Sequence, residues 1–466
     1  MKYSMKFLKL CFLMALIPHT SMAYDFSEGG LFFNFNKDGK SVTFTCETPI
    51  FFAHDAPAPS QKGYIGDIVI PSTIKHDGKT YKVTAIDEYA FTANSELRSV
   101  KIPESVIAIG QFAFMQCFRL ESVELPSKLT SISDYAFAES GLKAINIPGK
   151  VKRIGAAAFN DCYLKSVDIP NSVTEIGKMA FGSCRSMTSA KLGKSVEKIG
   201  EAAFSMCTSL EAITLPASLT EIGEKAFFEC GKLKEIVIPA KVKKIGDGAF
   251  NYCNELTRLE VAQGNKVYDS PNNCNAIIET ATATLVAGTN NSNILETVQR
   301  IGSEAFYGCK GMTSVNIPTS VTHIGDHAFF YCTNLRTLTI PSSVTKIDSY
   351  AFVGCDSLET VDIANSVKVI GDNAFLHDDY IKMVTIGSGV EEIGTWAFKG
   401  LDMVTSIVSK IEDVGNVKMG KDVFDEIDMK ACTLYVPRGT ASSYKAAPQW
   451  RDFKKIVEQY PPLKQD

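Results

Sequence analysis

Apolar residues recur along this chain at fixed offsets within a unit of 22 or 23 residues, clearest in Ile317-Pro318-Thr319-Ser320-Val321-Thr322-His323-Ile324-Gly325-Asp326-His327-Ala328-Phe329. Substituted versions of this phrase return from Phe91 to Phe398, every repeat phenylalanine following an alanine. One step breaks the rhythm: Phe250 to Phe306 spans 56 residues, which is two units of 23 and 10 residues more. A fixed period of about 20 to 50 residues marks a solenoid, in which one small unit buries its apolar side only against its neighbours.

Each position in the unit has a predicted job. Leu210, Ile213 and Leu215 give a short strand and its approach, with Thr214 facing solvent between two inward side chains. Pro216, which has no amide to donate, ends the strand. Ile222-Gly223 is a second corner, where glycine tolerates backbone angles that other residues avoid. Ala226 and Phe227 then pack a short helical or 3-10 turn against the interior, and Cys230 restarts the cycle.

Around this array the sequence predicts four segments. Residues 1–23 combine Lys2, Lys6 and Lys9 with an apolar run and end Ser21-Met22-Ala23, the pattern of a secretory signal peptide. Residues 24–65 hold two β-prone runs, Leu31–Phe35 and Ser41–Thr45, joined through Asp38-Gly39 as a hairpin that caps the first coil. The solenoid occupies 66–430, with an enlarged coil at 262–300 whose runs Asn275–Ile278 and Thr284–Ala287 predict a protruding hairpin. Residues 431–466 form the other cap, in which Ala441 to Glu458 has the pattern of an amphipathic helix with Pro448 inside it.

At 466 residues the chain exceeds the usual single-core size, but an array grows by adding coils. A net charge of −4, a pI near 6.0 and interspersed charge signs argue against nucleic-acid or anionic-membrane partners. Beyond the signal segment no apolar run is long enough for stable membrane insertion. Of 13 cysteines, nine stand three residues past a repeat phenylalanine. Equivalent positions of stacked coils lie ~4.8 Å apart with parallel side chains, whereas a disulfide wants converging Cβ atoms ~3.8 Å apart. This predicts a buried ladder of free thiols, and one cysteine per coil does not make a zinc site.

Candidate chemistry is sparse. His323 and His327 are four apart but flank the Ile324-Gly325 corner, so the helical spacing that would aim both at one metal is not expected. No phosphate loop, nucleophile elbow, recurring acid pair or cofactor motif occurs, and no enzyme is expected. Two surfaces remain. The outward strand positions, coil by coil, are Lys101, Glu124, Asn146, Asp168, Lys191, Thr214, Val237, Glu260, Asn316, Thr339, Asp362 and Thr385. Asn146, Asp168, Lys191, Thr214, Glu260, Asn316 and Thr339 are the candidate ligand contacts on this face. The second surface is an aromatic set, Phe228, Tyr252, Tyr307, Phe330 and Tyr331, expected to pack beneath the hairpin and otherwise to bind a glycan or peptide.

The phrase Leu-x-x-Val-x-Ile-Pro-x-x-Val-x-x-Ile-Gly-x-x-Ala-Phe-x-x-Cys resembles the BspA-like, or Treponema pallidum type, leucine-rich repeats of exported bacterial proteins. The resemblance covers roughly residues 66–430. It extends to the enlarged coil, where Asn265, Val267-Tyr268-Asp269-Ser270 and Cys274 to Glu279 look like a variant coil of that family. The chain departs from the phrase where Gly193, Ala262, Ala364 and Gly387 replace the proline, and where Asn94, Ser140, Asp378 and Leu401 replace the cysteine. The resemblance implies a leucine-rich-repeat solenoid that is secreted or surface-exposed, in a family whose characterised members are mostly adhesins or host-protein binders. Three functions compete: an extracellular module binding a protein or glycan on the strand face, a structural spacer of the envelope, and, third, an enzyme with a site in the enlarged coil.

Overall fold

The computed structural model describes residues 24–47 and 64–458; the expected signal segment, residues 48–63 of the expected N-terminal cap and the tail after 458 lie outside the described residues. The chain is a solenoid whose contacts divide it into two compact units, Met1–Phe227 and Phe228–Asp466.

In the first unit Leu31–Phe35 and Ser41–Thr45 form the expected hairpin. Ser41–Thr45 then pairs in parallel with Lys79–Ile86, so the hairpin continues the coil ladder. The extra residues before Phe91 form a second hairpin, Thr73–His76 with the start of Lys79–Ile86, turning through Asp77 and Gly78 at positive φ. From there most coils contribute two strands. A longer one, such as Ser166–Asp168, Ser189–Lys191 and Ala212–Thr214, pairs in parallel with its counterparts. A two-residue one, such as Arg153–Ile154, Glu175–Ile176 and Lys198–Ile199, builds a separate ladder. The proline corner between them closes with an amide three residues on, Val106 to Pro103 at 3.0 Å. The same bond persists where the proline is missing, Val196 to Gly193 at 3.2 Å, so turn geometry tolerates that substitution.

The Ile-Gly glycines are needed for space. Those at Gly177, Gly200 and Gly223 do not have positive φ, yet a Cβ on them would lie 2.7, 2.6 and 2.4 Å from backbone atoms of the preceding coil. Backbone angle was the expected reason; close approach of stacked backbones is the observed one.

Where the sequence reading expects a short helical or 3-10 turn around Ala-Phe, the segment takes the form of overlapping tight turns. Amides alternate in direction: Met115 and Cys117 bond back to Phe112 and Phe114 within the coil, while Phe112, Phe114 and Gln116 bond to carbonyls of the next coil. Phe112 and Gln116 hold φ of 58° and 59°, and the residues two before and two after the phenylalanine repeat this from coil to coil. Left-handed backbone costs a residue other than glycine about 1–3 kcal/mol and persists where the surroundings over-determine it. Here the inter-coil bonds made by those same amides do so.

Inside this segment the phenylalanines stack. Phe114, Phe137, Phe159, Phe181 and Phe204 are fully buried, with ring centroids 5.0 to 5.4 Å apart and planes within 10°. Phe44 begins the stack beneath Phe91 and is met edge-on by Phe33 at 90°.

The second unit repeats the plan from Phe306 through Phe329, Phe352, Phe375 and Phe398 to Phe424, where Trp450 and Phe453 close the stack edge-on. Its enlarged coil holds the expected hairpin, Ile277–Glu279 with Thr284–Ala287, but the hairpin does not protrude. Thr284–Ala287 pairs in parallel with Arg300–Ile301, placing the hairpin inside the short-strand ladder. The cause is its composition: Ile277, Ile278 and Leu285 are all buried. The predicted C-terminal helix is likewise corrected. Helix Ala441–Ala446 stops before Pro448, a 3-10 turn Trp450–Asp452 follows, and Lys455–Val457 pairs with Thr433–Tyr435. The apolar pattern still finds the core, since Tyr444, Trp450 and Phe453 are buried.

The thiols follow the phenylalanines. Cys117, Cys162, Cys184, Cys207, Cys332 and Cys355 each donate to the carbonyl of a phenylalanine in the preceding coil at 3.0 to 3.4 Å, and so do not point at one another. Burial pushes the Cys117, Cys162 and Cys207 thiols up to about 12. Native protein is therefore expected to react slowly with a thiol label at these positions, and at the less covered Cys309 too, whose thiol burial likewise pushes up to about 12. Counting labelled thiols before and after denaturation checks this; fast native labelling of most of them, or thiols missing after denaturation, contradicts it.

Truncating one ring tests the stack. Phe181→Ala is expected to cost about 3–5 kcal/mol, as for other buried phenylalanines, read as the shift of a denaturant midpoint. A midpoint left in place removes this residue from the core.

Asp378 occupies a thiol position and is fully buried. Burial first, then Asp356 and Asp379, push its carboxyl well above the usual range, against the Cys355 amide it accepts at 2.7 Å. In the unfolded chain it titrates near ~3.9. A raised folded pKa means that the folded state holds the proton more tightly, so stability is lost as pH rises above ~3.9. Asp378→Cys restores the repeat residue, and it is expected to stabilise the protein by about 1–3 kcal/mol at pH 7, with a gain that shrinks toward pH 4. Melting curves across this range decide it; a gain independent of pH points to packing instead of titration.

Candidate ligand-binding faces

The longer strands bring the predicted contacts together in two groups. In the first unit Asp168, Lys191 and Thr214 face solvent and are direct register partners on adjacent parallel strands. Lys101 and Glu124 are likewise partners and pair at 3.4 Å. Asn146 is exposed but lies in a coil without a longer strand, so the row is interrupted there. Alternation explains the outward set: Val167, Ala190 and Ile213 fill the core between exposed neighbours.

In the second unit Val237 and Glu260 are register partners. Glu260 is already engaged, since Arg258 bonds it at 2.8 Å while also reaching Glu235 at 3.3 Å. That bond holds the Glu260 carboxyl below its usual range. Asn316 is exposed outside any longer strand, its coil contributing only the bridge of Ser314 to Thr337. Thr339 is exposed and partners Asp362, after which the row ends because Thr385 and Val408 are buried.

The aromatic set belongs to the turn side of the coils, whereas the hairpin it was expected to pack under lies in the short-strand ladder. Tyr307 and Phe330 stack at 4.7 Å, Tyr252 stands edge-on to both Phe228 and Tyr307, and Tyr331 stands edge-on to Phe330. Lys310 sits 5.2 Å over the Tyr252 ring. Further members were missed from sequence: His327 stacks on Tyr350 at 4.6 Å, and Trp396 is 37 % exposed with Lys399 over its ring at 5.0 Å. Their signal was the position two residues before each core phenylalanine, shared by His327, Tyr350 and Trp396.

The two histidines serve different carboxylates. His323, in a short strand, meets Asp348 at 2.6 Å, and His327, in the turn, meets Asp326 at 2.5 Å. Among the described residues no three His, Cys, Asp or Glu side chains gather as a metal site. No helix among them is long and apolar enough to cross a membrane.

No curated protein matches this chain. Among solved structures it is similar to a leucine rich cell surface protein from Faecalibacterium prausnitzii, with 28% identity and TM-score 0.63 over 84% of this chain and 97% of that one. A leucine-rich repeat protein from Bacteroides ovatus is 26% identical at TM-score 0.63, covering 93% of this chain and 99% of that one. One from Eubacterium ventriosum, 20% identical at TM-score 0.50 over 75% and 89% of the two chains, shares the fold. The model of the BspA type leucine rich repeat region matches residues 68–188, 174–283 and 286–414. Since these matches span most of the chain and follow the coil geometry described above, the protein belongs to the BspA-type leucine-rich repeat family.

Proposed function

We propose that this is an exported, non-enzymatic binding protein that holds an extended protein or glycan along its longer-strand face. One observation carries the reading: Asp168, Lys191 and Thr214 are exposed, in register and one strand apart, a row of acceptor, cation and hydroxyl. Adjacent strands lie ~4.8 Å apart, so an extended partner can follow the row one contact at a time. Mixed signs suit specific hydrogen bonding over bulk electrostatic capture. Export is supported by the signal-like residues 1–23, and surface display by the likeness to the Faecalibacterium cell surface protein. The spacer reading predicts no ligand at all.

A matrix-protein and glycan array separates the two readings, since a spacer retains nothing. For a retained ligand, replacing Asp168, Lys191 and Thr214 together by alanine is expected to weaken binding at least ~30-fold, about 2 kcal/mol over three contacts. Binding by the parent should survive moderate salt, where exposed charges are screened within ~8 Å. Undiminished binding by the triple variant moves the site off this face.

A further inference from the structure

The column two residues past each core phenylalanine has its own pattern in the second unit: Tyr252, Gly308, Tyr331, Gly354, His377, Gly400. The amides of Tyr252, Gly308, Tyr331 and His377 each donate to the following coil, so the column runs on without a break across the enlarged coil. Its glycines hold φ of 73°, 72° and 73°. A Cβ on them would lie 2.3 Å from Tyr252 Cδ1, 2.7 Å from Tyr331 Cδ1 and 2.4 Å from His377 Nδ1. Each ring therefore lies down on the bare backbone of the next coil, and any side chain there would lift it off.

A ring supported this way is fixed before a ligand arrives, which lowers the ordering cost of binding. Tyr331 remains 42 % exposed and His377 is exposed as well. These two platforms are two coils apart. The core rings of the same coils step 5.2 and then 5.1 Å, which separates the platforms by roughly 10 Å. In an extended β-1,4-linked pyranose chain successive sugars are turned over, so every second sugar presents the same face, and the repeat is one disaccharide long. The C–H face of a pyranose is apolar and stacks on an aromatic ring, while its hydroxyls need polar partners at the rim. Asp379, half-buried and within electrostatic reach of His377, and the exposed Asp356, two residues past the Gly354 that underlies Tyr331, are the nearest acceptors in the sequence of these coils.

We propose that the turn side of the second unit is a second binding site, distinct from the strand face, for a linear β-1,4-linked glycan. Alternate sugars stack on Tyr331 and His377. Tyr252 lies in the same column, but with Lys310 over its ring it is already covered and offers no open face.

The test uses the full chain and soluble hexasaccharides: cello- and chito-hexaose as probes and maltohexaose, whose α-1,4 links curl the chain, as control. Calorimetric titration is expected to show binding of at least one β-linked hexamer and not of maltohexaose. Tyr331→Ala with His377→Ala should weaken it about tenfold or more, the loss of two stacking contacts. Tyr331→Phe keeps the platform and should bind within about threefold of the parent, 0.7 kcal/mol or less. The strand-face triple variant should bind the hexamer unchanged, which keeps failure of one site apart from failure of the other. Melting curves establish that the variants fold. The proposal is overturned if no β-linked hexamer binds, if maltohexaose binds equally, or if the double alanine variant loses nothing. It is also overturned if the double variant loses a protein from the matrix array while neither variant nor parent binds sugar.

Discussion

In the turn segment of this protein every second amide, those of Phe112, Phe114 and Gln116 among them, finds its acceptor only in the following coil. A lone coil would leave these donors unpaired and its phenylalanine half-covered, so nothing smaller than a stack is stable. Several other features follow from that constraint. The residues two before and two after the phenylalanine must turn left-handed to aim their amides across. The Ile-Gly backbones must approach too closely for a Cβ. The thiol must be small enough to sit behind the ring and donate to the ring residue's carbonyl.

Ends are where such a stack is vulnerable, and both units show the same solution. The first stack begins at Phe44, met edge-on by Phe33, and the second ends at Phe424, met edge-on by Trp450 and Phe453. A ring set edge-on covers the last face without offering another to continue the column. The backbone is closed in parallel by the N-terminal hairpin and by Lys455–Val457.

Features tied to one residue type at one position per coil were legible in the sequence: the period, the inward Val, Ile and Leu, the thiol ladder and the outward row from Asp168 to Thr214. Geometry that many residue types share was not. Left-handed positions are filled by Tyr89, Phe112, Ala157, Met179 and His327, which have no common signature. The enlarged coil showed two β-prone runs, but only their burial reveals that they join the ladder. Ala441 to Glu458 kept a helical apolar pattern although the chain breaks at Pro448, because a short helix, a 3-10 turn and a strand direct the same side chains inward. The turn-side platforms were present as alternating glycine and aromatic residues, a pattern that has meaning only once stacked coils are known to touch there.

The thiol ladder also bears on how such a chain reaches its native state. Twelve cysteines lie in the described residues, most of them buried once the coils are stacked. Before stacking they are ordinary thiols, open to oxidation and to joining wrong partners wherever the surroundings favour disulfides. Protection therefore depends on speed. Because most coils bond to a neighbour only some 22 to 26 residues along, docking proceeds by short loops whose closure is fast, and each coil that carries a repeat cysteine sequesters its sulfur as it is added. Among the described residues the stacked coils, and not covalent cross-links, are what keep these sulfurs apart.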